Sequence, residues 1–139
     1  MRIQDVLPYT NSWREESERT REYNYIAWVF GDTSRRWWPV EGYYWPLPKP
    51  DREESIDDFI SAFSLHGYEV CDDGTFESGF EKIAIYTING EPTHAAKQKA
   101  NGLWSSKIGS LEDIEHENPE DVNCPTYGTV HTFMRRRLS

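Results

Sequence analysis

The sequence is poor in cysteine, in basic residues and in long apolar runs. Two cysteines in 139 residues, Cys71 and Cys124, are too few for the disulfide framework of a small secreted domain. No apolar stretch approaches the roughly 18 residues of a membrane span. The first residues lead into no signal-peptide core. We therefore expect a single soluble, cytoplasmic domain over residues 1–139.

Basic residues are outnumbered by acidic ones. The chain has 15 Lys and Arg against 24 Asp and Glu, which gives a formal net charge of −9. Nucleic acids and anionic membranes are bound mainly through Lys and Arg, so neither is expected as a partner. The only basic cluster, Arg135-Arg136-Arg137, is too short to change that expectation. A protein or peptide remains as the candidate partner, and a basic one would complement the charge.

Aromatic residues, by contrast, are abundant. Six Trp, eight Tyr and six Phe make up 14% of the chain, which argues against intrinsic disorder. Several lie in a proline-punctuated segment, 34–50, where neither a regular helix nor a central strand can form. This segment packs across the domain as a cover or forms an exposed binding surface. Its candidate binding residues are Trp37, Trp38, Tyr43, Tyr44 and Trp45.

The N-terminal part contains one arm and one apolar segment. Residues 1–22 are polar and charge-dense, and they are expected to form a partly ordered arm. In the apolar segment that follows, Asn24 is a good N-cap and Gly31 a good residue to end a helix. A short buried helix is predicted there, with a buried strand as the alternative.

The rest of the chain combines one amphipathic helix with a series of strands. An apolar i, i+3, i+4, i+7 stripe starting at Ile56 follows a capping-box pattern and stops before Gly67. Asn89-Gly90 and Asn101-Gly102 are hairpin dipeptides that need positive φ. The predicted fold is α+β, with N-terminal helices packed on an antiparallel sheet of four or five strands.

The histidines and cysteines form no metal-binding motif. His66, His94, His116 and His131 lack HExxH spacing, and the cysteines lack Cys-x2-Cys spacing. No phosphate-binding glycine loop is present, so no metal or cofactor is expected. Glu112 and His116 are spaced i, i+4 and can meet on a helix, as half of a site or as a solvated salt bridge.

Nucleophile candidates are few. Cys71 precedes Asp72-Asp73, whose charge opposes thiolate formation, and Cys124 precedes a proline in a predicted loop. His94 lies near the start of a strand beside small residues, where it can act as a base or simply bond a neighbouring group.

Seven strings resemble one uncharacterised family of small bacterial proteins, in the same order from about Tyr23 to Arg135. They are Asn24-Tyr25-Ile26-Ala27-Trp28, Trp37-Trp38-Pro39, Gly67-Tyr68-Glu69-Val70-Cys71, Phe80-Glu81-Lys82-Ile83-Ala84-Ile85-Tyr86, Pro92-Thr93-His94-Ala95-Ala96, and Trp104-Ser105-Ser106-Lys107-Ile108-Gly109 with Asp113-Ile114-Glu115-His116. Members of that family carry Cys where this chain has Tyr25.

The layout is also similar to papain-like domains of the NlpC and CHAP kinds. That resemblance implies a nucleophile position at Tyr25, a base at His94, and an orienting residue at Ser106, Ser105 or, failing those, His116. A phenol with a pKa near 10 does not replace a thiolate. The resemblance therefore implies a degenerate, non-catalytic site that retains ligand or protein binding. The alternatives are an acidic interaction module that docks a basic partner through the 34–50 segment, and a hydrolase with another nucleophile.

Overall fold

The computed structural model describes residues 13–15, 29, 46, 55–107 and 113–138. Strands account for 48% of these residues, and one short helix is complete among them. The elements are β1 (Trp13–Glu15), α1 (Ile56–Ser64), β2 (Glu69–Cys71), β3 (Phe80–Ile88), β4 (Glu91–Gln98), β5 (Trp104–Lys107), β6 (Asp113–His116), a 3-10 turn (Pro119–Val122) and β7 (Thr129–Arg137). The described part of the chain is mainly β.

All seven strands belong to one antiparallel sheet with the order β1-β6-β5-β4-β3-β7-β2. The β3–β4 hairpin turns through Asn89 and Gly90, at φ 52° and 82°. The β4–β5 hairpin contains Gly102 at φ 87°. Both predicted hairpins are confirmed, because these residues adopt the positive φ that the tight turns require.

The α+β prediction is wrong. It took helices as one full layer of the fold, whereas in the described residues the sheet supplies both the framework and most of the core. The N-terminal caps at Asn24 and Gly31 lie outside those residues. Val29, between them, is helical and buried. The predicted amphipathic helix is present as α1, with the Ser55 side chain accepting a hydrogen bond from Asp58 N at 3.2 Å.

The sheet has a buried cluster on each face. The first face packs against α1 and Val29, through a cluster of buried residues: Val29, Phe59, Ala62, Phe63, Tyr68, Ile83, Ile85, Ala95 and Met134. The second face holds another: Ala84, Tyr86, Ala96, Trp104, Ile114, Val122, Cys124 and Tyr127. Since side chains alternate along a strand, β3 and β4 contribute to both clusters. Burial on both faces explains why these central strands are so rich in apolar and small residues.

Two short strands were not predicted. β1 lies within the predicted N-terminal arm and pairs with β6, with Trp13 opposite His116. β6 is a strand, so His116 does not lie on the helix that the i, i+4 spacing of Glu112 and His116 would need; Glu112 itself lies outside the described residues. Within the described residues, no helix has the length and apolar character needed to cross a bilayer.

Candidate functional site

The second face of the sheet gathers the histidines and serine singled out in the sequence. His94 lies on β4, Ser106 on β5 and His116 on β6, and these three strands are neighbours in the sheet. His116 lies opposite Trp104, and Ser106 lies opposite Ile114 and Ala96. Because directly paired residues project to the same side, the polar side chains meet in one layer with the second apolar cluster.

Ser106 and His116 form a buried hydrogen-bonded pair. Ser106 Oγ lies 2.8 Å from His116 Nε2, and His116 Nδ1 lies 2.8 Å from the carbonyl oxygen of Asn118. A carbonyl oxygen can only accept, so Nδ1 carries a proton. In the neutral ring Nε2 is then an acceptor, and the Ser106 hydroxyl donates to it.

This arrangement has the geometry of a serine with an adjacent base. Both residues are nevertheless sealed inside the domain: Ser106 is 0% and His116 is 2% exposed. Among the described residues, the pair therefore has no route to a substrate in this conformation. The sequence proposed these residues as rival candidates for one orienting role, and the structure bonds them to each other.

His94 is enclosed by aromatic rings. Its ring stacks on Tyr127, with centroids 4.4 Å apart and planes 22° apart, and the ring of Tyr86 lies 5.1 Å away. Burial lowers the pKa of His94 to about 3, and nearby His116 contributes in the same direction. At neutral pH His94 is uncharged and a weak base.

Two tyrosines fix this layer to the loop that covers it. The hydroxyl of Tyr86 donates to the carbonyl of Pro119, in the 3-10 turn. Burial, followed by the charges of Glu120 and Asp121, raises the pKa of Tyr86 well above its usual value, so the phenol keeps its proton. The carbonyl of Tyr127 accepts a hydrogen bond from Thr93 Oγ1. These hydrogen bonds connect the polar layer to the segments around it, so the layer is a structural part of the core.

An acidic groove opens next to this layer, at the end of the sheet where β4 turns into β5. One wall is the loop after β2, residues 73–76, and the other is the segment 117–120 that follows β6. Trp104 and Phe133, on the sheet, line the groove between them, and its volume is about 410 Å³. Three carboxylates lie along it, those of Asp73, Glu117 and Glu120. We call this feature the acidic groove.

None of the described residues that line the acidic groove carries a basic side chain. Hydrogen bonds from Thr75 hold the pKa of Asp73 below its usual value, with a smaller contribution from Lys82, so this carboxylate is ionised at neutral pH. Sequence reasoning missed the groove because its walls come from two distant loops. Two signals were available in the sequence: the Asn118-Pro119 pair, which is typical of the start of a helical turn, and the acidic residues around it.

The other residues proposed from the sequence fall into two groups. Tyr25 and the aromatic candidates Trp37, Trp38, Tyr43, Tyr44 and Trp45 lie outside the described residues; of the 34–50 segment, only Pro46 is described, and it is half-buried. Cys71 and Cys124 are free thiols, and Cys124 is buried. Burial raises the pKa of Cys71, against the opposing effects of the Lys82 charge and of the hydrogen bond to the Asp73 carbonyl. No cluster that can hold a metal occurs among the described residues.

These features define a mainly β domain with a polar layer in its core and an acidic groove at one end. The chain belongs to the family described as "Domain of unknown function (DUF7689)", whose model matches residues 14–135. This agrees with the expected resemblance to an uncharacterised family and gives no support for the papain-like one. Neither the curated proteins nor the solved structures gave a match.

Proposed function

We propose that this domain is a non-catalytic binding protein whose partner is basic. The observation that carries the proposal is a contrast between two parts of the molecule. The polar residues suited to catalysis are buried, whereas the acidic groove beside them is open and lined by carboxylates and by the partly exposed rings of Phe76 and Phe133. Binding needs an accessible surface of complementary charge, and the groove supplies one.

Catalysis is disfavoured at each candidate position. A nucleophile and its base must reach the reacting atom, and Ser106, His116 and His94 are all enclosed. The low pKa of His94 also leaves it little affinity for a proton at neutral pH.

The charge of the chain supports a basic partner. A net charge of −9 repels anions at a distance and raises the association rate of cations. Aromatic side chains supply much of the energy in protein interfaces. Phe76, one of the residues lining the groove, is 49% exposed and available for such a contact.

The test is a pair of anisotropy titrations with fluorescent peptides of equal length, one rich in lysine and one rich in glutamate. We expect saturable binding of the lysine peptide and none of the glutamate peptide. Affinity should fall as salt rises from about 50 to 300 mM, because salt screens exposed charges. Absence of lysine-peptide binding at the lower salt would refute the proposal.

A second candidate function is favoured by one observation, the 2.8 Å hydrogen bond between Ser106 and His116. If the covering loop opens, Ser106 becomes a nucleophile with His116 as its base. A fluorophosphonate probe distinguishes the two functions, since it labels activated serines. The binding proposal expects no labelling of Ser106. Labelling that disappears in His116→Gln would establish the hydrolytic alternative.

A further inference from the structure

We propose that the acidic groove is the docking site for a lysine-containing segment of a partner polypeptide, with a lysine ammonium group held between Asp73 on one wall and Glu117 and Glu120 on the other. This inference rests on the proposed function and assigns its site. The occupant is an extended basic chain. Three features indicate this: the negative charge of the groove, the fixed position of its walls, and the acidic residues that continue beyond it.

The first wall is fixed to the sheet. Lys82 Nζ donates to the carbonyl of Asp73 at 3.1 Å, and Gln98 Nε2 donates to the carbonyl of Gly74 at 3.0 Å. Thr75 N donates to Asp73 Oδ1 at 3.0 Å. Lys82 Nζ also lies 3.4 Å from Asp73 Oδ1. The carboxylate of Asp73 is therefore oriented by Thr75 and Lys82, and little ordering is left to occur when a further cation binds.

The second wall is fixed by the polar layer of the core. His116 Nδ1 donates to the carbonyl of Asn118, and the Tyr86 hydroxyl donates to that of Pro119. Asn118 N donates to Asp121 Oδ2 at 2.9 Å, which closes the start of the 3-10 turn. These bonds hold the backbone of Asn118 and Pro119 in place, and the side chains of Glu117 and Glu120 are exposed. The buried polar layer therefore supports this wall of the groove.

The residues between the walls suit a cation with an alkyl stem. Trp104 and Phe133 have ring centroids 6.3 Å apart, and Gly74 packs directly against both. A Cβ at Gly74 would lie 2.8 Å from Phe133 Cε1, so glycine is required for the loop to approach the rings. Trp104 is only 2% exposed and lies beneath the groove, whereas Phe133 is half-buried and Phe76 is exposed. An ammonium group near these two phenylalanine rings gains a cation–π contribution, and its methylenes gain apolar contact.

The acidic residues continue beyond the groove on both walls. Asp72 precedes the first wall and is exposed, and Asp121 follows the second and is half-buried. A single free amine would engage only the groove, where each exposed charge pair contributes little. A chain with several cations can follow the acidic residues on either side. A polypeptide segment therefore fits better than a small amine.

The test combines matched variants with mapping of the contact. Glu117→Gln/Glu120→Gln removes two carboxylates from the groove, and Asp57→Asn/Glu91→Gln removes two exposed carboxylates from elsewhere on the described surface. We expect the groove variant to weaken binding of the lysine peptide about three- to tenfold, and the control to change it less than twofold. Zero-length carbodiimide cross-linking should join peptide lysines to Asp73, Glu117 or Glu120.

The outcomes separate the two proposals. Equal weakening by both variants, or cross-links confined to other carboxylates, would overturn the groove assignment while leaving the domain a binder of basic partners. Binding of spermine as tight as that of the peptide would overturn the polypeptide occupant. Self-association of the protein that disappears in the groove variant would also overturn the proposed occupant, because the groove would then bind a second copy of this chain. A complete lack of peptide binding would overturn both the site and the proposed function.

Discussion

The hydroxyl of Ser106 donates to Nε2 of His116 across 2.8 Å, inside a sheet face from which both residues are almost wholly hidden from solvent. The direction of this bond follows from the carbonyl of Asn118, which holds the proton on Nδ1. The same ring therefore connects β5 to the segment that forms one wall of the acidic groove. We interpret the pair as a structural brace between the sheet and the groove.

The brace predicts a stability effect for Ser106→Ala. The change removes the donor to a buried ring nitrogen, and such a loss costs about 1–3 kcal/mol of unfolding free energy. Urea denaturation measures it. The control Ser64→Ala, at an exposed position on α1, should change the unfolding free energy by no more than about 0.5 kcal/mol. Peptide affinity should be unchanged for the Ser64→Ala control, which lies away from the groove. A stable Ser106→Ala protein that has lost a measurable hydrolytic activity would contradict this interpretation.

His94 predicts a specific loss of stability in acid. The unfolded chain protonates this histidine near its ordinary pKa of 6.5, whereas the folded protein does so only near 3. The contribution of neutral His94 is therefore fully present above pH 6.5 and is lost as the pH falls. Between those two values the loss approaches about 1.4 kcal/mol per pH unit.

Urea unfolding at pH 7, 6, 5 and 4 tests this prediction. In His94→Gln the dependence on pH should be shallower than in the wild type, whatever the variant's stability at pH 7. The matched variant His131→Gln changes an exposed histidine and should keep the wild-type slope. Parallel curves for the wild type and His94→Gln would show that His94 is not the buried titrating group.

Alanine substitutions at two glycines with positive φ distinguish the cost of backbone strain from the cost of a steric clash. Gly90 and Gly128 have φ of 82° and 75°, but only at Gly128 would a Cβ collide with the backbone, 2.0 Å from Thr87 O. Gly90→Ala should cost about 1–2 kcal/mol, the penalty of a left-handed residue. Gly128→Ala should cost about 1–3 kcal/mol more, because Thr87 must move. Equal losses in urea denaturation would show that the Gly128 turn relaxes freely.

The sequence predicted local elements well where a turn or cap dictates the backbone. The Asn89-Gly90 hairpin and the Ser55-capped helix follow from residues within a few positions of each other. β1 and β6 were not predicted, because each has only three or four residues and a single large apolar side chain. Their pairing also joins distant parts of the chain. The fold class was wrong because helix caps were given more importance than the number of strands.

The residues of the candidate site were predicted from the sequence, but the contacts between them were not. His94, Ser106 and His116 were singled out by residue type, yet which of them meet depends on the register of β4, β5 and β6. A shift of one residue would place Ser106 on the opposite face. The stacking of His94 on Tyr127 depends on a loop 33 residues further along the chain, which no local pattern encodes.

The most direct test of binding at the acidic groove is a titration of the ¹⁵N-labelled protein with the lysine peptide, followed by ¹H–¹⁵N correlation spectra. The amide signals that shift progressively should cluster in segments 73–76 and 117–120 and at Gly102, all of which line the groove. The amides around Asp57 and Glu91 should not move. Shifts centred on those two residues, or none at saturating peptide, would contradict the account.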